Sequence, residues 1–331
     1  MAWYRLLLTN GDEDQMIGTV TRGINNIYSV ASEEGDFLCR IKGKVLKTRE
    51  PEYNPLAVGD RVEFTLTSDK EGLITKRLER RNCFQRWNPK GCANQTLVAN
   101  VDLVLAVCSV ESPPFRPRFI DRVIACSRNV DVAIVINKSD ILYTEDELQR
   151  IELYRSLGYQ AFSVSALTGE NLEYLRARIK GLTVAMVGQS GVGKSTLINA
   201  LIPSEESQKT GDICKKYNRG RHTTTHSTMI EGDGFRLIDT PGVREFSIWH
   251  DDPHRIAEAF VEFTEPSASC EYWRCLHDTE PGCEVKKLVE QGRIDKDRYE
   301  SYIRMLHSLD DKTPVWRRAV EKDKEDVKKD N

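Results

Sequence analysis

One stretch of this sequence decides the fold: Gly188-Gln189-Ser190-Gly191-Val192-Gly193-Lys194-Ser195-Thr196. It fills every fixed position of the pattern G-x-x-x-x-G-K-[ST], in which backbone N–H groups and a helix N-terminus surround a phosphate. An apolar, β-branched run at 183–187 precedes it, and 197–201 follows with apolar residues at helical spacing. The sequence therefore predicts a strand, a phosphate-binding loop and a helix. We expect Lys194 to reach the β- and γ-phosphates of a nucleotide and the Ser195 hydroxyl to ligate magnesium.

A second motif, Asn137-Lys138-Ser139-Asp140, directly follows the apolar run 132–136. The pattern N-K-x-D reads guanine in GTPases, and the Asp140 carboxylate can accept the N1–H and N2–H₂ groups of that base. Adenine offers neither donor in that arrangement, and a buried acceptor left unpaired costs about 1–3 kcal/mol. GTP is therefore favoured over ATP as the nucleotide.

A third motif supports the same base. The strand-like segment 160–164 leads into Ser165-Ala166-Leu167, which resembles the loop whose backbone contacts the guanine O6. A helix is predicted from about 171 to 180, directly before the phosphate-binding loop.

Two further motifs follow that loop. Residues 220–225 form a polar stretch that contains His222 and three threonines, as expected of a switch loop that offers a threonine to magnesium; Thr224 is taken as that ligand, and the choice among the three stays open. Asp239-Thr240-Pro241-Gly242 fits D-x-x-G, in which Asp239 would hold magnesium through water and the Gly242 N–H would sense the γ-phosphate.

Three cysteines and a histidine cluster late in the chain, as Cys270-x₄-Cys275-x-His277-x₅-Cys283. Four such ligands within 14 residues can close around one tetrahedral zinc ion, and no open coordination position is implied. The alternative is a group of free thiols. We expect one structural zinc ion, surrounded by helical segments at 253–263 and 297–306.

The first 86 residues show short β-branched runs at 17–20, 27–30, 37–41, 61–65 and 72–75. Five short strands at this spacing predict a small OB-type β-barrel, the commonest such module for oligonucleotides. Residues 15–99 hold 14 Lys and Arg against 10 Asp and Glu. These basic residues could contact phosphates or could form a solvated face, and charge alone does not decide. The basic groups are Arg40, Lys42, Lys44, Lys47 and Arg49, and then Lys76, Arg77, Arg80, Arg81 and Arg86.

The whole chain has 331 residues, 39% hydrophobic content and a net charge of −3, which together are typical of a globular protein with more than one domain. No apolar run reaches the 18 or more residues of a membrane span, and the first residues turn polar too soon for a signal peptide. We expect a cytoplasmic protein with no membrane partner, which acts as a monomer. The charged stretch 317–329 has no assigned role.

The order of the motifs is unusual, because the guanine motifs precede the phosphate-binding loop instead of following it. Such circular permutation is tolerated where the old termini lie close together at the surface. This order, the barrel before it and the cysteine cluster behind it closely resemble the circularly permuted small-ribosomal-subunit biogenesis GTPases of the RsgA (YjeQ) family, over roughly residues 16–306. We expect an N-terminal OB-type barrel (1–86), a linker (87–99), a permuted α/β GTPase domain (100–248) and a helical zinc domain with a charged tail (249–331).

The resemblance implies a partner and a reaction. The partner is the small ribosomal subunit with its rRNA, bound late in maturation, and its stimulation of GTP hydrolysis drives release. The alternative is an RNA-binding assembly adaptor in which bound nucleotide only stabilises the fold. Many GTPases carry a water-orienting Gln directly after D-x-x-G, whereas this chain has Val243. The resemblance points to His222 as the catalytic residue, with a group supplied by the ribosome as the alternative.

Overall fold

The computed structural model describes residues 15–43, 46, 52–89, 91–202, 227–242, 247–248 and 252–309. The predicted switch loop at 220–225, with His222 and Thr224, lies outside the described residues. So do Val243, the basic residues Lys44, Lys47 and Arg49, and the charged stretch 317–329.

The N-terminal domain is a closed five-stranded barrel, as predicted. Its strands are β1 (Gln15–Ile24), β2 (Ile27–Ser32), β3 (Gly35–Ile41), β4 (Arg61–Leu66) and β5 (Glu71–Arg77). They pair in the order β1-β2-β3-β5-β4, and β4 returns to β1; only β3 and β5 run parallel. Alternate residues point inward, and Val20, Val62 and Phe64 are fully buried. Gly18 is required where strands cross closely, because a Cβ there would lie 2.4 Å from a methyl of Val30.

A hairpin follows the barrel where a linker was predicted. Strand β6 (Cys83–Asn88) pairs antiparallel with β7 (Ala93–Ala99), so the prediction of an irregular segment at 87–99 is wrong. Pro89 and Gly91 mark only the turn, while the polar residues after them pair with β6 through the backbone. The hairpin packs on the barrel: the side-chain amide of Asn54 donates to the Thr96 carbonyl, and the Thr96 N–H donates back to the Asn54 side-chain oxygen.

The central domain is a mostly parallel sheet. Its strands are β8 (Leu103–Ser109), β10 (Asp131–Asn137), β11 (Gln160–Val164), β12 (Thr183–Gly188), β13 (Thr228–Gly232) and β14 (Phe235–Asp239). They lie in the order β11-β10-β8-β12-β14-β13, with only β13 antiparallel to its neighbour. A two-stranded pairing of β6 with the short β9 (Ser127–Arg128) and an antiparallel pairing of β1 with β13 join this domain to the hairpin and the barrel.

Four helices connect these strands: α1 (Pro117–Cys126), α2 (Glu145–Ser156), α3 (Leu172–Ile179) and α4 (Lys194–Leu201). The sequence predicted α3 and α4. It missed α2, whose exposed residues are mostly charged, although Thr144 and Glu147 form a capping box at its start. Because β8, β10, β11 and β12 are parallel, their carboxyl ends meet at one edge of the sheet, where ligands bind in open α/β folds.

The C-terminal domain consists of short helices: α5 (His254–Ala257), a 3₁₀ turn (Val261–Phe263), α6 (Thr264–Ser267), α7 (Glu284–Glu290) and α8 (Lys296–His307). The helix predicted over 253–263 is interrupted, because Phe260 adopts an extended conformation and turns into the core beside Phe263 and Tyr302. The predicted fold class is confirmed: a barrel, a permuted α/β domain and a helical domain that carries the Cys/His cluster. Among the helices described, none combines the length and apolarity that crossing a membrane requires.

Candidate nucleotide site and metal centre

The phosphate-binding loop has the backbone that its glycines permit. Gly191 (φ 91°) and Gly193 (φ 88°) lie in the left-handed region, where other residues are strained. Gly193 is also required sterically, because a Cβ there would lie 2.4 Å from the side-chain nitrogen of Asn137. The loop ends at the N-terminus of α4, and Ser190, Ser195 and Thr196 are exposed. A phosphate can therefore reach the loop N–H groups and the Ser195 hydroxyl.

Lys194 is buried beneath this loop. Its ammonium group donates to the carbonyls of Gly188 (2.7 Å) and Gln189 (3.1 Å). Burial lowers the pKa of Lys194 to about 8, and the negative charge of the fully buried Asp239 opposes that shift. A phosphate at the loop would add the negative charge that a buried ammonium group needs, so the lysine is placed for an anionic ligand.

Asn137, at the end of β10, links the guanine motifs to the phosphate-binding loop. Its side-chain nitrogen donates to the Val192 carbonyl (2.9 Å), and its side-chain oxygen accepts from the Ala166 N–H (3.1 Å). Val192 and Ala166 lie 55 and 29 positions from Asn137 along the chain. One buried amide thus holds three of the predicted motifs in a single site.

Asp140 and Ser165 also meet. The Ser165 hydroxyl donates to one Asp140 carboxylate oxygen at 2.5 Å, while Asp140 itself is exposed at the edge of the sheet. Neighbouring contacts fix the motif: Ser139 Oγ donates to Glu170 (2.7 Å), and Lys138 Nζ donates to the Ser112 carbonyl (2.7 Å). The sequence analysis missed Glu170, although it lies only a few residues beyond the Ser165 loop.

The D-x-x-G segment lies against the phosphate-binding loop. Asp239 ends β14 and pairs in register with Met186 of β12, two residues before Gly188. The Thr240 hydroxyl donates to the Met186 carbonyl (2.7 Å), which fixes the chain after the strand. Gly242 then passes so close that a Cβ there would lie 3.3 Å from Lys194 Nζ. Both motif residues therefore border the predicted phosphate site.

The four predicted metal ligands converge. Their ligand atoms all lie within 4.8 Å of one another. Cys270 Sγ lies 3.9 Å from Cys283 Sγ, and His277 Nδ1 lies 3.6 Å and 3.4 Å from those two sulfurs. A tetrahedral zinc ion with Zn–S of about 2.3 Å and Zn–N of about 2.0 Å places its ligands about 3.5–3.8 Å apart. The cluster fits one such ion.

The chemistry of the donors agrees with their spacing. Burial raises the pKa of the Cys275 thiol to about 12, so several thiolates can coexist here only around a cation. The Ser267 hydroxyl donates to the Phe263 carbonyl (2.6 Å) and lies 3.0 Å from His277 Nε2. The Ser267 oxygen therefore accepts a hydrogen bond from Nε2–H, which leaves the Nδ1 lone pair directed at the sulfurs. No sequence signal pointed to Ser267.

The structure gives several of the basic barrel residues internal partners. Arg80 binds Asp60, which is fully buried, and Arg77 forms a two-point contact with Glu52. Lys76 pairs with Glu63, and Arg81 with Asp102. Arg77 and Arg80 are thus largely buried against their partners, whereas the Lys76 and Arg81 side chains pair at the surface and stay 61% exposed. Arg40 and Lys42 remain exposed.

A strand, a glycine-rich loop with a buried lysine and the guanine motifs thus meet at one edge of a parallel sheet, in permuted order. This combination of fold and site defines a circularly permuted P-loop GTPase. The RsgA GTPase family model matches residues 77–249, and the RsgA N-terminal domain model matches residues 17–74. The chain belongs to the RsgA GTPase family.

Relatives support this assignment over nearly the whole chain. A protein of Bacteroides fragilis named small ribosomal subunit biogenesis GTPase RsgA is 39% identical, covering 89% of this chain and 98% of its own. One of the same name from Borreliella burgdorferi is 40% identical, covering 87% and 94%. The crystal structure of YjeQ from Thermotoga maritima superposes with a TM-score of 0.67 at 32% identity, covering 89% and 98%. YloQ, described as a circularly permuted GTPase, shares the fold with a TM-score of 0.64 at 24% identity, covering 93% and 99%.

Proposed function

We propose that this chain is a GTP hydrolase that acts in the biogenesis of the small ribosomal subunit, where it binds the maturing subunit and is released after hydrolysis. The observation that carries the proposal is Asn137, which joins the guanine motif, the Ala166 loop and the phosphate-binding loop through two hydrogen bonds. The names of the relatives supply the biological setting.

Two sets of residues share nucleotide binding in this proposal. Asn137, Lys138, Ser139, Asp140, Ser165 and Ala166 form the guanine site, and residues 188–196 enclose the phosphates. Asp140 gives base specificity, because Ser165 donates to one of its carboxylate oxygens and the exposed side chain can offer the other to the base. Lys194 and the loop N–H groups stabilise charge on the β- and γ-phosphates, where phosphoryl transfer needs positioning and electrostatic stabilisation more than covalent chemistry.

Magnesium fits beside these residues. Ser195 is exposed at the first turn of α4, and Asp239 ends the neighbouring strand as a fully buried carboxylate, so a hydroxyl and a carboxylate border one phosphate site. Thr224 of the switch loop is proposed as a further ligand. When bound, Mg²⁺ neutralises charge on the phosphate oxygens. We propose that Gly242 responds to the γ-phosphate through its N–H, which its closeness to Lys194 supports.

The water that attacks the γ-phosphate needs a polar partner, and Val243 supplies none. We assign this role to His222, whose imidazole can orient the water or accept its proton. The intrinsic hydrolysis rate is then slow, and subunit binding accelerates it by bringing the switch loop over the phosphate.

The remaining modules are assigned to recognition and structure. The barrel is proposed to contact rRNA, and the zinc ion, held by Cys270, Cys275, His277 and Cys283, is structural. We propose a cytoplasmic monomer, since the subunit itself is the partner. We keep the limits expected for the GTPase domain (100–248) and the zinc domain (249–331), and we group residues 83–99, which form a hairpin and not a linker, with the barrel.

Two measurements test the proposal. Co-sedimentation with separated ribosomal subunits should show binding to the small subunit with a non-hydrolysable GTP analogue and weaker binding with GDP. Single-turnover GTP hydrolysis should be faster with small subunits than without them. Binding without any stimulation would favour the RNA-binding adaptor, and absence of binding to either subunit would remove the proposed partner.

A further inference from the structure

A cavity of about 610 Å³ is lined mainly by residues of α1, α2 and α8. It touches the phosphate-binding loop only at Gln189 and includes none of the guanine-motif residues. Its size lies within the range of small-ligand pockets. Since α8 belongs to the C-terminal domain, the cavity joins two domains.

Arginine dominates its polar lining. Six guanidinium groups line the cavity: Arg116, Arg118, Arg122, Arg150, Arg298 and Arg304. Two of them have carboxylate partners of their own: Arg298 binds Asp121 and Glu262 in the interior, and Arg150 binds Asp146 and Asp297 nearer the surface. The other four are Arg116, Arg118, Arg122 and Arg304, and the remaining carboxylate of the lining, Glu147, accepts from the Thr144 N–H and hydroxyl.

Among the described residues, a single carboxylate, Glu300, pairs with any of those four arginines. Arg118 and Arg304 approach the same carboxylate, Glu300, at 3.3 Å and 3.9 Å. In the part of the chain that the structure describes, no residue forms a hydrogen bond or ion pair with the side chain of Arg116 or Arg122. Arg118 and Arg122 lie four residues apart on α1, and Glu300 and Arg304 lie four apart on α8, so both helices present guanidinium groups to one space.

We propose that this cavity is a second anion site, which binds a phosphate group between Arg116 and Arg122 with help from Arg118 and Arg304. A guanidinium presents paired N–H donors that match phosphate oxygens, and a group of arginines with one shared carboxylate is incompletely neutralised until an anion arrives. The phosphate belongs either to a small phosphorylated molecule or to the backbone of the rRNA. The second source rests on the proposed function, whereas the first does not.

The test on the isolated protein uses inorganic phosphate as the probe. Full-length protein is saturated with a non-hydrolysable GTP analogue and magnesium, so that the first site is filled. Its thermal unfolding is then followed in phosphate and in chloride at equal ionic strength, because a ligand that binds only the folded state raises Tm with its concentration. Comparing variants gives the change in the phosphate Kd.

Three variants make the result specific. The double variant Arg116→Gln, Arg122→Gln should raise the phosphate Kd about 10-fold or more, since both unpartnered charges are lost. Glu300→Gln should lower it several-fold, because the competing carboxylate is removed; a merely structural role for these arginines predicts no such gain. Arg255→Gln, at an exposed arginine of α5 paired with Glu258, should change nothing. Basal GTP hydrolysis should be the same in all three.

The second arm measures affinity for small subunits over a range of salt concentrations. If rRNA supplies the phosphate, the double variant binds small subunits more weakly and Glu300→Gln binds them more tightly. The slope of log affinity against log salt concentration should also become smaller in the double variant, by about one to two released counterions. If the variants change only the phosphate Kd of the isolated protein, and not the affinity for small subunits, the ligand is a free phosphorylated molecule. If neither arm distinguishes the double variant and Glu300→Gln from Arg255→Gln, the proposal is overturned. Failure of the wild type to bind subunits would refute the proposed function and leave the first arm decisive.

Discussion

At the scale of single residues, Asp140 shows how one carboxylate can select a base. The Ser165 hydroxyl donates a hydrogen bond to one oxygen of the Asp140 carboxylate, and the other oxygen is available to a ligand at the edge of the sheet. The serine also accepts from the Thr168 N–H (3.1 Å), so its hydroxyl is directed at Asp140. The selectivity of the proposed site therefore rests on one oriented pair.

Replacing Asp140→Asn tests that assignment. The amide presents a donor to guanine where the carboxylate accepted, so GTP affinity should fall about 10- to 100-fold, and affinity for xanthosine triphosphate, which carries a 2-oxo group, should rise. Equilibrium binding of both nucleotides measures this change in base preference. Glu170→Gln, which alters a neighbour of Ser139 and not the base contact, is the control. Equal GTP affinity in Asp140→Asn and wild type would refute the role of Asp140.

His222 is the other residue on which the proposed mechanism depends. The variant His222→Ala should bind GTP and small subunits almost normally, and its subunit-stimulated turnover should fall about 10²-fold or more, as expected for one positioned acid–base group. Single-turnover hydrolysis with saturating subunits provides the measurement. A stimulated rate equal to wild type would transfer the role to a group on the ribosome.

At the scale of elements, the segment 270–283 forms a closed loop around its four metal ligands. The Glu271 N–H donates to the Gly282 carbonyl (3.1 Å), and the Tyr302 hydroxyl donates to the Leu276 carbonyl, so the loop is attached to itself and to α8. Phe263 packs edge-on against His277 with ring centroids 5.7 Å apart. The metal ligands and the aromatic core of the domain thus depend on one another.

Removal of one ligand should therefore release the metal and loosen the domain. Wild-type protein purified without chelator should contain about one zinc per chain, and Cys275→Ala should lose it, because a structural site contributes folding free energy directly. Metal analysis and thermal unfolding measure the two effects. Cys92→Ala, at an exposed cysteine outside the cluster, should keep both the zinc and the wild-type stability. Zinc-free wild-type protein with an intact C-terminal domain would contradict the assignment.

At the scale of the whole molecule, Arg298 ties the GTPase domain to the helical domain. Its guanidinium binds Asp121 of α1 (2.6 Å) and Glu262 of the 3₁₀ turn (2.5 Å) and lies over the rings of Tyr154 and Phe260. The Arg298 side chain is only 3% exposed, and the pKa of its guanidinium is raised by the two carboxylates, so it stays charged. Three charges are thus buried together at the junction of the two domains.

Breaking this network should destabilise both domains together. Arg298→Met leaves two buried carboxylates without a cation and should lower the free energy of unfolding by about 3–5 kcal/mol. The triple variant Asp121→Leu, Glu262→Met, Arg298→Met should recover most of that loss, since no buried charge remains. Denaturant unfolding followed by a probe in each domain measures both. If Arg298→Met is as stable as the wild type, the junction does not depend on this network.

The sequence by itself determined the features that are formed by residues close together along the chain. The glycines of 188–193 specify the phosphate-binding loop because only they adopt its left-handed backbone, and four ligands within 14 residues specify the metal cluster because the loop between them closes locally. The order of the motifs was enough to predict the permutation, and the short β-branched runs predicted the five barrel strands.

Only the tertiary structure decided which distant residues meet. Asn137 reaches Val192 across 55 positions, and Arg298 reaches Asp121 across 177. The hairpin at 83–99 forms because its polar strand pairs with β6 and packs on the barrel, contacts that no local propensity specifies. The arginine-lined cavity likewise arises where helices from two domains converge. Such contacts depend on the path of the whole chain, whereas motif spacing constrains only the residues that are neighbours along it.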